Sequence, residues 1–297
     1  MSRIRLTEVG PRDGLQNESR VVPTEAKVAF VNALGATGVD EIEVSGFVHP
    51  TWVPQLADAA DVFRQLGRAP DVSYSALVPN ETGLERALEA HVDKVAVFTA
   101  ASETFNRHNI NASIAESIER FQPVLKQAKA NDLRVRGYVS TAFHCPYEGR
   151  IQPDQVVPVV EQLLELGVDE VSIGDTIGKA SPADVRALLD VLWKRVGPER
   201  LVLHVHDTYG MAITNAMTAW ADYGVTRFDS SAGGLGGCPY APGAAGNVAT
   251  EDLIHALRAS GAEVNVDEAA VVEAAQGIEP HLSRPLNSRL SRVFDGT

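Results

Sequence analysis

The sequence predicts an α/β protein: a single (β/α)8 barrel of the TIM-barrel class over residues 1–297, with the residues after about 260 forming a C-terminal helical extension. Three observations predict it. Short β-rich segments alternate with longer helical ones eight times. Ala, Val, Leu and Gly dominate over aromatics, which suits buried parallel strands covered by Ala-rich helices. The marks of the rival doubly wound sheet, G-x-G-x-x-G after the first strand or G-x-x-x-x-G-K-[ST], are absent.

The expected strands, in order, are Arg5–Val9, Glu41–Val44, Val72–Leu77, Lys94–Phe98, Arg134–Val139, Glu170–Ile173, Leu201–Val205 and Arg227–Ser230. Their β-branched runs suit parallel strands buried on both faces. Pro23-Thr24-Glu25 opens a helix with Val28, Val31 and Leu34 on one face. Ile114–Ala130, Asp154–Leu166 and Pro182–Val196 are further helices. Ser181-Pro182 reads as an N-cap followed by proline at the first helical position. Gly35, Gly38 and Gly167 stand where helices should stop. Val266–Gly277 is a helix beyond the eight units, and the tail after it reads as irregular. No Ser/Gly/Pro-rich linker divides the chain, so one domain is expected.

Composition excludes several classes. The 297 residues are 44% hydrophobic and 6% aromatic, enough for a large aliphatic core. A net charge of −13, with no Lys/Arg run longer than two, argues against nucleic acid as a partner. No stretch approaches the ~20 apolar residues of a membrane span. Two cysteines, Cys145 and Cys238, do not make a disulfide framework and suit a reducing compartment. The first strand begins near Ile4, leaving no room for a leader, so a cytoplasmic location is expected.

The chemistry collects at strand ends. His204 and His206, two apart on one strand, face the same way and make half a metal site. A lone H-x-H is as readily one core and one solvated histidine. Arg12-Asp13, in a tight turn set by Gly10-Pro11 and Gly14, offers a hard oxygen ligand beside a fixed positive charge; an ordinary surface ion pair would look the same. Glu41 and Glu43 alternate inside a barrel strand and need partners, Arg12 or a metal-bound water for one of them. Gly233-Gly234-Leu235-Gly236-Gly237 leads into Cys238, which on a glycine-rich loop over the barrel mouth suits a proton donor or nucleophile better than an inert core thiol. Asn247 is open to two readings, helix N-cap or neutral metal ligand. Glu251 follows four residues on, and Asp175, Thr176 and Asp207 stand at other strand ends. Asp13, His204, His206 and perhaps Asn247 would form a mixed N/O site suited to Mg²⁺ or Mn²⁺.

These motifs together resemble the 3-hydroxy-3-methylglutaryl-CoA lyase family. The resemblance is carried by Glu8-Val9-Gly10-Pro11-Arg12-Asp13-Gly14-Leu15-Gln16-Asn17-Glu18, Phe47-Val48-His49-Pro50, Arg136-Gly137-Tyr138-Val139-Ser140, Cys145-Pro146-Tyr147-Glu148-Gly149, Gly174-Asp175-Thr176-Ile177-Gly178, His204-Val205-His206-Asp207-Thr208-Tyr209-Gly210 and Gly234-Leu235-Gly236-Gly237-Cys238-Pro239-Tyr240 with Gly246-Asn247. It runs from about Arg3 to about Leu257. It implies a metal-dependent lyase on a (β/α)8 barrel, with Asp13, His204, His206 and Asn247 as ligands of Mg²⁺ or Mn²⁺. Arg12 matches the arginine that steadies the thioester enolate, Cys238 the loop cysteine, and Glu43 a glutamate beside the metal. Gln16 and Asp175 are expected to contact the substrate with Arg12. Gly46 and His49 stand where the family commonly has Ser or another small residue, and both lie one loop from Glu43.

The implied reaction is a retro-Claisen cleavage of an acyl-CoA substrate to acetyl-CoA and acetoacetate. Asp13, a histidine ligand and Glu43 through water are the candidate bases, in that order. Three rivals stand beside it. One is a lyase for a longer 3-hydroxy-3-alkylglutaryl-CoA. Another is a Claisen-condensing synthase, which typically carries Arg-Asp-Gly-Glu-Gln and His-x-His-Asn-Asp where this chain has Arg-Asp-Gly-Leu-Gln and His-Val-His-Asp-Thr. The last is a non-catalytic metal- or thioester-binding protein. A symmetric homodimer is the expected assembly.

Overall fold

Eight parallel strands close on themselves in the computed structural model, which describes residues 3–237 and 246–294. They are β1 (Arg5–Glu8), β2 (Glu41–Gly46), β3 (Ser73–Leu77), β4 (Lys94–Ala100), β5 (Arg134–Ser140), β6 (Glu170–Asp175), β7 (Leu201–Val205) and β8 (Arg227–Ser230). Each pairs with its sequence neighbours, and β1 pairs with β8 to complete the barrel. The register slips between Glu43 and Ser45, a bulge that turns the end of β2.

The helices follow the local signals. Helix α1 (Thr24–Gly35) starts after Pro23, and α2 (Ala59–Gln65), α3 (Glu81–Glu89) and α4 (Glu103–Ile110) follow it. In α5 (Ile114–Ala130), Ser113 and Glu116 form a reciprocal capping box. Helix α6 (Pro153–Leu166) ends on Gly167 with φ 92°, a left-handed conformation that Gly reaches without a Cβ clash. The Ser181 side chain caps α7 (Pro182–Leu192), which stops four residues short of the expected Val196. Helix α8 is Ala212–Tyr223, α9 Thr250–Ala259 and α10 Glu268–Ile278. The tail is more ordered than its composition suggested. It ends in α11 (Arg289–Phe294), whose first turn is held by Asp252 accepting from Arg289 N and Leu290 N. No helix among the described residues is long and apolar enough to cross a membrane.

Between strands and helices lies one aliphatic core, including Leu6, Val31, Leu34, Val95, Val160, Leu163 and Leu203. The barrel interior is different. Alternate strand residues point inward, and many are charged. Lys94 Nζ pairs with Glu41 at 2.7 Å and with Glu170. Arg136 pairs with Glu170 at 2.5 Å and with Asp229 at 2.7 Å. Removing one partner from such a buried set leaves an uncompensated charge and costs about 3–5 kcal/mol. Toward the mouth this column gives way to a small apolar cluster of Leu77, Ala96 and Tyr138, with Val48 and Phe98 beside it.

Candidate active site

Residues Gly10–Gly14 form a single wide turn directly after β1. The amides of Arg12, Asp13 and Gly14 all converge on Val9 O, at 3.2, 2.8 and 3.1 Å. Glycine suits position 10 because an added Cβ would stand 2.7 Å from Glu8 Oε1, a buried oxygen already held by Gly10 N and Ala232 N. The turn places Arg12 and Asp13 at the C-terminal end of the barrel, facing the end of β7.

His204, within β7, and His206, just after it, meet Asp13 there. The two Nε2 atoms are 3.1 Å apart, and Asp13 Oδ2 lies 3.9 Å from His204 Nε2 and 3.8 Å from His206 Nε2. Donors about 2.1 Å from a shared divalent ion sit at such separations. Among the described residues this is the cluster of His, Cys, Asp and Glu able to hold a metal ion. Asn247 adjoins it. Its Nδ2 donates to Asp13 Oδ2 at 2.8 Å, while its Oδ1 is buried without a partner, as a ligand oxygen would be. Asn247 is not an N-cap: α9 begins at Thr250, and Asn247 instead bridges to His206 across an isolated β-pair. Asn247 therefore shares no helix face with Glu251, which lies inside α9.

The electrostatics divide the donors. Burial alone would raise the Asp13 carboxyl, but Arg12, His204 and His206 take its pKa down to about 2, so it is a fixed anion. Burial, helped by the neighbouring His204, lowers His206 to about 4, leaving a neutral ring with a lone pair for a cation at neutral pH. His204 is raised despite burial, because Asp229 accepts from its Nδ1 at 3.2 Å. These residues fit a divalent ion in their chemistry: two imidazoles, one anionic and one amide oxygen.

Arg12 links the cluster to Glu43. It reaches Glu43 Oε2 from Nε at 2.8 Å and from NH2 at 2.7 Å, and its NH1 donates to Asp13 Oδ1 at 2.7 Å. Tyr138 donates its hydroxyl to the same Glu43 oxygen at 3.1 Å, and the Arg12 guanidinium lies 5.6 Å from the Tyr138 ring centroid. Glu43 Oε1 is buried with no partner, and burial raises the carboxyl against the pull of Arg12.

Other expected residues are placed less centrally. Gln16 Nε2 reaches Asp13 Oδ1 at 3.4 Å. Asp175 is fully buried, and its two oxygens accept from Lys179 N and Ala180 N at 3.0 Å, shaping the loop after β6. Burial raises its pKa to about 7. His49 is exposed and accepts from Thr51 N, whereas Gly46 abuts Leu56 and also Leu77, which belongs to the apolar mouth cluster. Cys238 lies outside the described residues. The start of its loop is anchored by two buried carboxylates: Glu8 accepts from Ala232 N, and Glu251 accepts from Gly233 N. Sequence reasoning passed over Asp229. Its signal was the spacing Arg227-x-Asp229, two charges on one face of a buried strand.

Comparison with known proteins gives concordant results. A family model described as HMGL-like matches residues 3–278. The hydroxymethylglutaryl-CoA lyase YngG of Bacillus subtilis is 47% identical over 98% of this chain and 97% of its own. The 3-hydroxy-3-isohexenylglutaryl-CoA/hydroxy-methylglutaryl-CoA lyase of Pseudomonas aeruginosa is 48% identical, with coverage of 98% and 97%. A solved HMG-CoA lyase from Acinetobacter baumannii, in complex with coenzyme A and 3-methylmalate, superposes with a TM-score of 0.93 at 36% identity, covering 98% of this chain and 94% of that one.

Proposed function

The chain belongs to the HMGL-like family and is a carbon–carbon lyase; from that premise we propose that it cleaves 3-hydroxy-3-methylglutaryl-CoA to acetyl-CoA and acetoacetate with Mg²⁺ or Mn²⁺ held by Asp13, His204, His206 and Asn247. The observation that carries this reading is the triangle of Asp13 Oδ2 and the two histidine Nε2 atoms, with Arg12 beside it. Asp13, His204, His206 and Asn247 would hold the ion, which would supply Lewis acidity toward the hydroxyl of the substrate.

In the reaction the C2–C3 bond breaks, C3 becomes the ketone of acetoacetate, and the electron pair passes to C2 as the thioester enolate. Two carboxylates border this centre with opposite electrostatics, and such a contrast divides their roles. Asp13 stays ionised and holds the cation. Glu43, with its free Oε1 and raised pKa, takes the hydroxyl proton through an intervening water. We place Glu43 ahead of Asp13 as the base, because a carboxylate held down to about 2 accepts a proton poorly at neutral pH. Arg12 donates to the thioester oxygen as it gains charge. Cys238, on its glycine-rich loop, delivers the proton that C2 needs, and acetyl-CoA leaves.

A second reading concerns the acyl group. The Pseudomonas relative is named for a longer 3-alkyl chain as well as for methyl. Gly46 lies at the apolar mouth cluster without a side chain to narrow it. The deciding assay incubates the protein with a panel of 3-hydroxy-3-alkylglutaryl thioesters and Mg²⁺, Mn²⁺ or EDTA, and identifies both products. Acetyl-CoA plus the matching 3-oxo acid, formed only with metal, supports the reading. Failure to cleave any of the panel with either metal overturns it.

A further inference from the structure

Asp229 sits on β8 with a side chain that is essentially unexposed, and each of its oxygens is engaged. Oδ1 accepts from Arg136 NH1 at 2.7 Å. Oδ2 accepts from Ser172 Oγ at 2.7 Å and lies 3.2 Å from His204 Nδ1. Arg136 is in turn fixed by Glu170, by Thr7 Oγ1 at 2.8 Å and by Tyr138. The carboxylate therefore has one orientation available, and it presents one lone pair to one nitrogen of one histidine. Among the described residues no other carboxylate pairs with Nδ1 of either cluster histidine.

We propose that Asp229 is a positioning residue for the metal site: it accepts the His204 Nδ1 proton, so that the lone pair of His204 Nε2 is fixed toward the cation, while Arg136 and Ser172 hold Asp229 in place. A neutral imidazole carries one N–H, and an acceptor at Nδ1 decides which nitrogen carries it. A carboxylate behind a ligating histidine also raises the basicity of that ligand, and loss of such a partner weakens metal binding about 10–100-fold. His206 has no carboxylate behind it: its Nδ1 is buried without a hydrogen-bond partner, and its pairing with Asn247 runs through the backbone. The inference rests on the metal site proposed above. The competing role for Asp229 is that of a counter-ion to Arg136 alone.

Two measurements separate these roles. Histidine-selective ¹⁵N NMR of the metal-free protein at alkaline pH reports the tautomer of each ring, and electron paramagnetic resonance reports Mn²⁺ affinity. The account expects His204 protonated on Nδ1 in the unaltered protein. In Asp229→Asn it expects His204 to lose that preference, the His206 signals to stay unchanged, and Mn²⁺ affinity to fall about 10–100-fold. Should Asp229→Asn fail to fold, Ser172→Ala, which frees one lone pair of Asp229, and the tautomer in the unaltered protein still decide. A His204 ring protonated on Nε2, or Mn²⁺ affinity unchanged in a folded Asp229 variant, overturns the inference alone. Absence of Mn²⁺ binding by the unaltered protein overturns the metal site beneath it.

Discussion

Arg12 and Glu43 form a buried ion pair in which both guanidinium contacts, at 2.8 and 2.7 Å, go to one carboxylate oxygen and leave the other, Oε1, without a partner. An arginine that neutralises its own glutamate would ordinarily bridge both oxygens. Here NH1 reaches Asp13 at 2.7 Å, and one carboxylate oxygen of Glu43 stays free for a proton.

That geometry predicts the behaviour of an Arg12→Lys variant. Lysine keeps the charge but loses the planar fork that spans Glu43 and Asp13. The expected outcome is a fall in kcat of about 10²–10³-fold, the usual effect of losing an oxyanion donor, with thioester binding nearly retained. Steady-state kinetics and equilibrium binding of a thioester analogue check the two halves separately.

Glu43→Gln and Asp13→Asn should fail differently. Glu43→Gln removes a proton acceptor, so kcat drops about 10²–10⁴-fold while Mn²⁺ binds as before. Asp13→Asn removes the only anionic donor of the cluster, so Mn²⁺ affinity itself collapses. Titration calorimetry beside turnover tells the two apart, and equal loss of metal by both variants would merge their roles.

Glu8 predicts a pH-dependent stability. Burial lifts its pKa from 4.5 to about 7 against the hydrogen bonds from Thr250, Ala232 and Gly10. Between those values the native state binds the proton more tightly than the unfolded chain does. The contribution is full below pH 4.5 and is lost as pH rises to about 7; a shift of this size corresponds to roughly 3 kcal/mol. Urea unfolding of the parent and Glu8→Gln across this window should show a flatter slope in the variant. Identical slopes would assign the dependence to another group.

Substrate range should respond to Gly46. An added Cβ would stand 3.3 Å from Leu56 Cδ1 and Leu77 Cβ, tight enough to press on the apolar cluster. Gly46→Ser is expected to lower kcat/KM for longer 3-alkyl thioesters more than for the methyl one. A uniform effect across the panel would separate Gly46 from acyl selection.

The strands were legible because alternation of β-rich and helical runs is a local property, and each observed strand overlaps its expected segment. The Asp13, His204 and His206 positions were legible for a related reason: spacing by two on a strand and a turn rich in Gly and Pro dictate direction. Asn247 was ambiguous because an amide near a helix start fits a cap as well as a ligand, and only its tertiary pairing with His206, outside the helix, removes the cap. Asp229 was hidden because nothing in Arg227-Phe228-Asp229-Ser230 tells which neighbouring strand supplies its partner. The order of α11 was hidden too, since it depends on Asp252 in α9.

The central claim is a carbon–carbon cleavage that needs a divalent ion at Asp13, His204 and His206. It is tested most directly by titrating Mn²⁺ into chelator-treated protein while measuring bound metal and released acetyl-CoA together, with His206→Ala alongside. The account predicts one bound ion per chain, acetyl-CoA and acetoacetate appearing in proportion to occupancy, and loss of both in the variant. Full turnover in the metal-free protein, or undiminished metal binding by His206→Ala, would contradict it.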